Sequence, residues 1–381
     1  MNQQQQFKRF LASQFLRVWS CASIAMANHE MRQTIKFKRK LRIAFVKQEV
    51  YRDLYFKPGP FSAETIFSSE GRSGPVGLLE PEIEAEFFVV KVEVDSECHV
   101  YREKPLGSVK EHAKAKRKRQ WAALSSVAVH VDSVDWSRFD LVWVMENAVP
   151  ARVTRRFPTV LWATMLEDHS MPSYGKYLRH KPIGYDCFFN QSFGPSLRRF
   201  YQRKHVIDWP YAFLKHSSIT SLFEVEFRPK LISYDQHHDG KTVAQICQQN
   251  GWFCDLRDSG ELIPTRDFLE HLVQSGIYWA VSPWRPLWGN AGAEAAAAGC
   301  LVLSNPVFHW NTLVSAAEAR TGSIPRATEL TQRLLTDETF YSRLLMAQND
   351  NVDWYCFNRP LSQVAKYVTD VPRGLSIRDV I

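Results

Sequence analysis

No uninterrupted apolar run in this sequence approaches the roughly 20 residues that a membrane-spanning helix needs, so a helix-threaded membrane protein is excluded. Cysteine is sparse and odd in number, the seven being Cys21, Cys98, Cys187, Cys247, Cys254, Cys300 and Cys356. None stands in a CxxC pair, which speaks against a zinc ribbon, a redox motif of that spacing or a disulfide framework. A reducing compartment, hence the cytoplasm, is the simpler expectation. No Asp-x-Asp pair closes an apolar run, so that device for holding a divalent cation is missing as well.

What remains is a folding composition, 45% hydrophobic and 23% charged over 381 residues. That excludes a disordered chain and is long enough for two cores. The net charge of +8 suggests anionic partners. Basic residues gather at Lys114, Lys116, Arg117, Lys118 and Arg119, near the N-terminus, and again at 36–40. Such runs serve either as solvated surface or as a contact for an anionic membrane or acceptor. No helix-turn-helix signature or interleaved aromatics accompany them, so nucleic acid is not expected as a partner. Residues 7–19 space Phe7, Phe10, Leu11, Phe15, Leu16 and Trp19 helically among Lys8, Arg9 and Arg17. The segment fits an interfacial helix on a membrane face, and equally a helix packed on the main body.

From residue 40 onward, short apolar runs rich in β-branched and aromatic residues alternate with helical patterns. The runs are 40–46, 87–94, 140–146, 159–166, 185–191 and 205–211, then 230–235, 252–257, 277–283 and 300–306. The clearest helical patterns are KTVAQICQQNG, closed by Gly251, and ATELTQRLLTDETFYSRLLMAQ. Near-continuous apolar strands imply parallel sheets covered on both faces. Two such series predict an α/β protein of two doubly wound, Rossmann-like domains. The expected division is an extension over 1–38, a first domain over 39–213, a second over 214–355 and a terminal segment over 356–381.

The carboxyl ends of the runs are polar, as at Lys47-Gln48-Glu49, Glu167-Asp168-His169, Asn190-Gln191-Ser192 and Ser304-Asn305. Ligands of open α/β sheets bind there. The most informative stretch is 281–306, VSPWRPLWGNAGAEAAAAGCLVLSNP. A turn through Gly289, Asn290, Ala291 and Gly292 opens a short Ala-rich helix carrying Glu294, and Gly299 is a natural left-handed stop. A helix N-terminus behind a glycine turn suits a diphosphate, and Glu294 could accept bonds from two ribose hydroxyls. In the plainer alternative, Glu294 only complements the helix dipole.

This stretch resembles the donor-binding signature of the family-4-like glycosyltransferases, also called glycosyltransferases group 1. Their pattern is Glu, a Gly three residues on, and a second Glu eight residues after the first. Gly289 and Glu294 match the last two, and Pro286 stands where the first Glu would be. The family also places an Arg and, five residues on, a Lys on the diphosphate. Lys241 matches the Lys, whereas Gln236 replaces the Arg, with His237 and His238 beside it. The resemblance implies a GT-B architecture, two domains facing across a cleft, with a C-terminal helix crossing back to the first.

It further implies a nucleotide-sugar donor held by Glu294, Gly289, Asn290, Ala291, Gly292, His238 and Ser304. His169 and Asp168 are the catalytic candidates of the first domain, joined by Lys241 on the leaving diphosphate. Lys47 and Glu49 are placed near the acceptor, a glycan, polysaccharide or lipid-linked sugar. Retention of the anomeric centre is expected, with no cofactor and no metal, since cations and helix dipole handle the diphosphate. Two other functions fit the same residues: a nucleotide-sugar-binding protein without transfer, and a sugar-nucleotide epimerase of like architecture.

Overall fold

The computed structural model describes residues 31–48, 57–68, 75–91, 127–145, 149–165, 184–190, 205–210, 212–234, 240–254, 264–281, 291–306 and 309–381. The first half forms β1 (Leu41–Gln48), β2 (Gly59–Pro60), β3 (Ile83–Val90), β4 (Leu141–Met145), β5 (Leu161–Met165), β6 (Cys187–Asn190) and β7 (His205–Asp208). The second half forms β8 (Arg228–Tyr234), β9 (Phe253–Cys254), β10 (Ser275–Ala280) and β11 (Leu301–Ser304). The helices are α1 (Ala63–Phe67), α2 (Ala151–Thr154), α3 (Gly240–Asn250), α4 (Thr265–Gln274) and α5 (Ala291–Ala297). They continue with α6 (His309–Val314), α7 (Ile324–Thr336), α8 (Glu338–Val352) and α9 (Arg359–Asp370). Among the described residues no helix is long and apolar enough to cross a membrane.

Two separate sheets result, ordered β2-β3-β1-β4-β5-β6-β7 and β11-β10-β8-β9. Every pairing is parallel except the short antiparallel β2–β3 contact. The alternation of side chains along each strand fills a core on each face. In the first sheet Phe45, Trp143 and Ala163 enter one core, while Val46, Val144 and Trp162 enter the other. In the second sheet Ile277, Trp279 and Leu303 face one way, and Tyr278, Ala280 and Val302 the other. Burial on both faces is why these strands read as unbroken apolar runs.

The stretch after β7 is not a surface linker. Trp209 and Phe213 belong to the first sheet's core, whereas Ala212, Leu214 and Ile219 join a core shared with α4 and α5. Ile66 of α1 and Val76 enter that shared core too, so apolar packing ties the two halves together. The sequence suggested one helical pattern over 327–348, but the chain breaks at Asp337. Its carboxylate caps α8 by accepting the Phe340 N–H at 2.8 Å. Likewise β3 begins at Ile83, four residues before the apolar run 87–94. Glu84 is exposed and Glu86 half-exposed there, which hid the strand's first half.

A π turn, Asp353–Asn358, follows α8 and leads into α9. The wider turn shifts the apolar stripe, so that Cys356 enters the shared core and Phe357 the core of the first sheet. Beyond it α9 buries Leu361, Val364, Tyr367 and Val368 against the first sheet. The terminal helix therefore crosses back to the first half, and the two-sheet, Rossmann-like, GT-B-type arrangement is present. Full burial of side chains of this size is worth roughly 1.5–3 kcal/mol each, so apolar contact dominates the docking of α9.

Beneath the amino-terminal end of β4, the fully buried Asp140 accepts from Arg39 at 2.7 Å through both oxygens and from Arg42 at 3.0 Å. Burial alone would raise its pKa. The two guanidiniums and the Arg42 N–H outweigh that and bring it down to about 2. A lowered carboxyl pKa favours the folded state above the ordinary carboxylate range. About 2 kcal/mol should therefore be lost as pH falls from about 4 towards 2. In urea unfolding, the stability gap between wild type and Asp140→Asn should be widest at neutral pH and close in acid. A gap independent of pH would show that the pair contributes nothing through ionisation.

Candidate functional site

Each sheet has a place where strand order reverses, and ligands of open α/β sheets bind outside the carboxyl ends of the strands at such a place. In the first sheet it lies between β1 and β4, since β3 was added on one side of β1 and β4 to β7 on the other. In the second it lies between β8 and β10. The helices that follow those two strands are α3 and α5, so their amino-terminal turns belong to the carboxyl end of the sheet.

Helix α5 is built for close packing. Ala293, Ala295, Ala296 and Ala297 are fully buried, with α4 and α8 packed against the helix. A complete Schellman stop ends it. Gly299 takes φ +88°, the Cys300 N–H donates to Ala295 O at 2.9 Å and the Gly299 N–H to Ala296 O at 3.1 Å. Helix α3 ends the same way, with Gly251 at φ +68° and the Trp252 N–H on Cys247 O.

Glu294 lies in the first turn of α5 and is 6% exposed. Dipole complementation by a solvated acid is worth roughly 0.3–1 kcal/mol, whereas desolvating a polar or charged group costs several. Stabilising the helix would thus not require this acid to be buried, and the dipole alone does not account for its position. Gly292 is buried beside it and Ala291 half-buried. Ser304 closes β11 fully buried, its Oγ 2.6 Å from Ser315 Oγ and its carbonyl accepting the Thr321 N–H at 2.7 Å. Its hydroxyl thus braces the strand end from inside.

Lys47, at the carboxyl end of β1, is fully buried with Nζ 5.7 Å from the centre of the Phe45 ring. A lysine inside the switch-point strand is unusual, because its ammonium is strongly hydrated in water. Lys241 is the second residue of α3, its side chain outside what is described. Glu49, Glu167, Asp168, His169, Pro286, Gln236, His237, His238, Gly289 and Asn290 also lie outside the described residues, as do the segments 7–19 and 114–119.

One group at the strand ends went unrecognised in the sequence. Asn190 closes β6, and its Nδ2 donates to Asp208 Oδ1 of β7 at 2.9 Å. Arg359, the first residue of α9, reaches Asp208 Oδ2 at 3.1 Å, and Gln363 Oε1 accepts the Asp208 N–H at 2.8 Å. Asn190, Asp208 and Arg359 are all buried. The polarity read at Asn190 as cleft lining thus fastens the crossing helix to the carboxyl end of the first sheet. The signal available was an acid ending an apolar run, HVID, and an Arg-Pro pair opening the last amphipathic helix.

No family model and no curated protein matches the chain. Among solved structures it is similar to a sucrose-phosphate synthase from Thermosynechococcus elongatus, at 12% identity, 87% and 99% coverage of the two chains and a TM-score of 0.45. It is also similar to an alpha-glucosyltransferase in complex with UDP and a 13-mer DNA containing a HMU base, at 12% identity, 87% and 100% coverage and 0.45. A putative UDP-N-acetylglucosamine 2-epimerase from Listeria monocytogenes gives 14%, 88%, 99% and 0.44. Transferases and an epimerase stand side by side among them, so no reaction type follows from the likeness.

Proposed function

We propose that the chain is a metal-independent glycosyltransferase that moves a sugar, with retention, from a nucleotide-sugar to a glycan, polysaccharide or lipid-linked acceptor. The observation that carries this is the burial of Glu294 in the first turn of α5, at the carboxyl end of the second sheet's switch point. There its carboxylate would take the two ribose hydroxyls, with Gly289, Asn290, Ala291 and Gly292 against the diphosphate and His238 beside it. Ser304 would support the pocket from within. Lys241, at the start of α3, would neutralise the charge that grows on the leaving diphosphate. In a retaining reaction that phosphate can accept the proton of the acceptor hydroxyl. His169 and Asp168 would then orient sugar and acceptor, and Lys47 and Glu49 would lie on the acceptor side.

Calorimetry with UDP-, GDP- and ADP-sugars tests the assignment and names the donor. Glu294→Ala should weaken binding of whichever donor binds by about 1.5–3 kcal/mol, the range for hydrogen bonds to a charged group. A folded variant with unchanged affinity would return Glu294 to dipole complementation. Donor incubated without acceptor separates the other functions, because an epimerase would leave epimerised sugar. EDTA should leave turnover intact.

The acceptor class and a peripheral place on an anionic membrane rest on the basic residues 114–119 and the segment 7–19. Co-sedimentation with anionic vesicles should fall with salt and with neutralisation of 114–119. Binding indifferent to both would make these residues ordinary surface.

A further inference from the structure

Two arginines that no acid balances are gathered around one amide beside the π turn. Arg320 follows the end of β11, where it pairs with Ser304 in a parallel bridge and the Thr321 N–H donates to the Ser304 carbonyl. Arg320 is half-buried, and its Nη2 donates to the Ser315 carbonyl, just past α6, at 3.2 Å. Its Nε–H is buried and has no partner. A cation at a helix end needs only the first of these contacts, so capping leaves the orphaned donor unexplained.

Arg32 belongs to the chain ahead of β1, which is tied to the π turn by the Ile35 N–H on Asn358 Oδ1 at 3.2 Å. The Arg32 guanidinium stands 5.5 Å over the centre of the Tyr355 ring, with Nη2 on Asn351 Oδ1 at 2.8 Å. Asn351 Nδ2 donates in turn to the same Ser315 carbonyl at 3.5 Å. One amide and one carbonyl therefore link the two guanidiniums. Among the described residues neither lies within ion-pair distance of an acid. Glu318, two positions before Arg320, is taken by Arg343 at 2.7 Å.

We propose that Arg32 and Arg320, spaced by Asn351, bind a phosphate group, free or carried on a small metabolite. Like charges held near one another repel, and a dianion placed between them removes that repulsion. A tetrahedral phosphate accepts from several directions at once, which suits forked donors arriving from two segments of chain, whereas a carboxylate satisfies one fork. The Arg320 Nε–H would gain the acceptor it lacks. Bound phosphate would also tie the chain ahead of β1 to the end of β11, beside the π turn that returns the chain to the first half. The site uses none of the residues assigned to the donor, so it stands or falls independently of that assignment.

Calorimetry of the full chain against inorganic phosphate, and separately against glycerol phosphate, tests the site and distinguishes a free phosphate from a carried one. At least one probe should bind, about 10-fold or more weakly in Arg32→Gln and in Arg320→Gln, the loss of a charge-assisted hydrogen bond. Affinity should be unchanged in Lys241→Ala. Arg32 is exposed, so its variant should fold and decides the question even if Arg320→Gln does not. Failure of both probes to bind, or binding that survives Arg32→Gln, would overturn the proposal. So would binding lost in Lys241→Ala, which would put the phosphate in the donor pocket instead.

Discussion

Asp208→Ala should lower the stability of the folded chain by about 3–5 kcal/mol, the usual cost of removing one partner from a buried ion pair. The Arg359 guanidinium and the Asn190 amide both lean on that carboxylate, and all three residues are buried. Its loss deprives the buried cation of this anion just where α9 leaves the π turn. Arg359→Met should cost clearly less, because an apolar side chain of similar reach leaves no charge to hydrate. Urea unfolding of the two variants and their combination measures the difference. Equal losses in the two single variants, or a loss below about 1 kcal/mol for Asp208→Ala, would mean that water reaches the site and the pair is weak. The apolar contacts of α9 supply most of the docking energy, so the helix should stay on the first sheet in both variants.

Lys241→Ala should lower kcat about 100-fold while raising KM far less. In the proposed transfer, charge would accumulate on the diphosphate as the glycosidic bond breaks, and a group that meets it only then would act on the transition state. Lys241 is the second residue of α3, the helix that follows β8 at the second sheet's switch point. The amino-terminal dipole of α3 would add to the same field. Steady-state kinetics with the donor found by calorimetry checks this. A variant with normal kcat and weaker binding would place Lys241 in ground-state recognition alone.

Much of the fold could be read in the chain because its signals are local. Strand period, the length of apolar runs and the glycine stops at Gly251 and Gly299 depend on residues a few positions apart. The misreadings arose where a local signal was ambiguous. Glu84 and Glu86 alternate with Ile83 and Ala85 on a strand that meets solvent on one side at its start, so the apolar run looked shorter than the strand. Asp337 is one acid inside a helical pattern, and only the separate packing of α7 and α8 makes it a cap.

Beyond the crossing of the last helix, which the family resemblance implied, the sequence by itself determined two parallel α/β units and the place of the Gly289–Gly299 segment between two buried strands. Each follows from short-range periodicity or backbone chemistry that few neighbours can override. Only the tertiary structure decided how the polar residues pair. Arg39 meets Asp140 across 101 positions and Arg359 meets Asp208 across 151, and no local rule reports a partner so distant. The burial of Lys47 and Glu294 was decided the same way, because a side chain's exposure depends on which elements close over it. A charged residue written beside a turn reads as surface until those elements are in place.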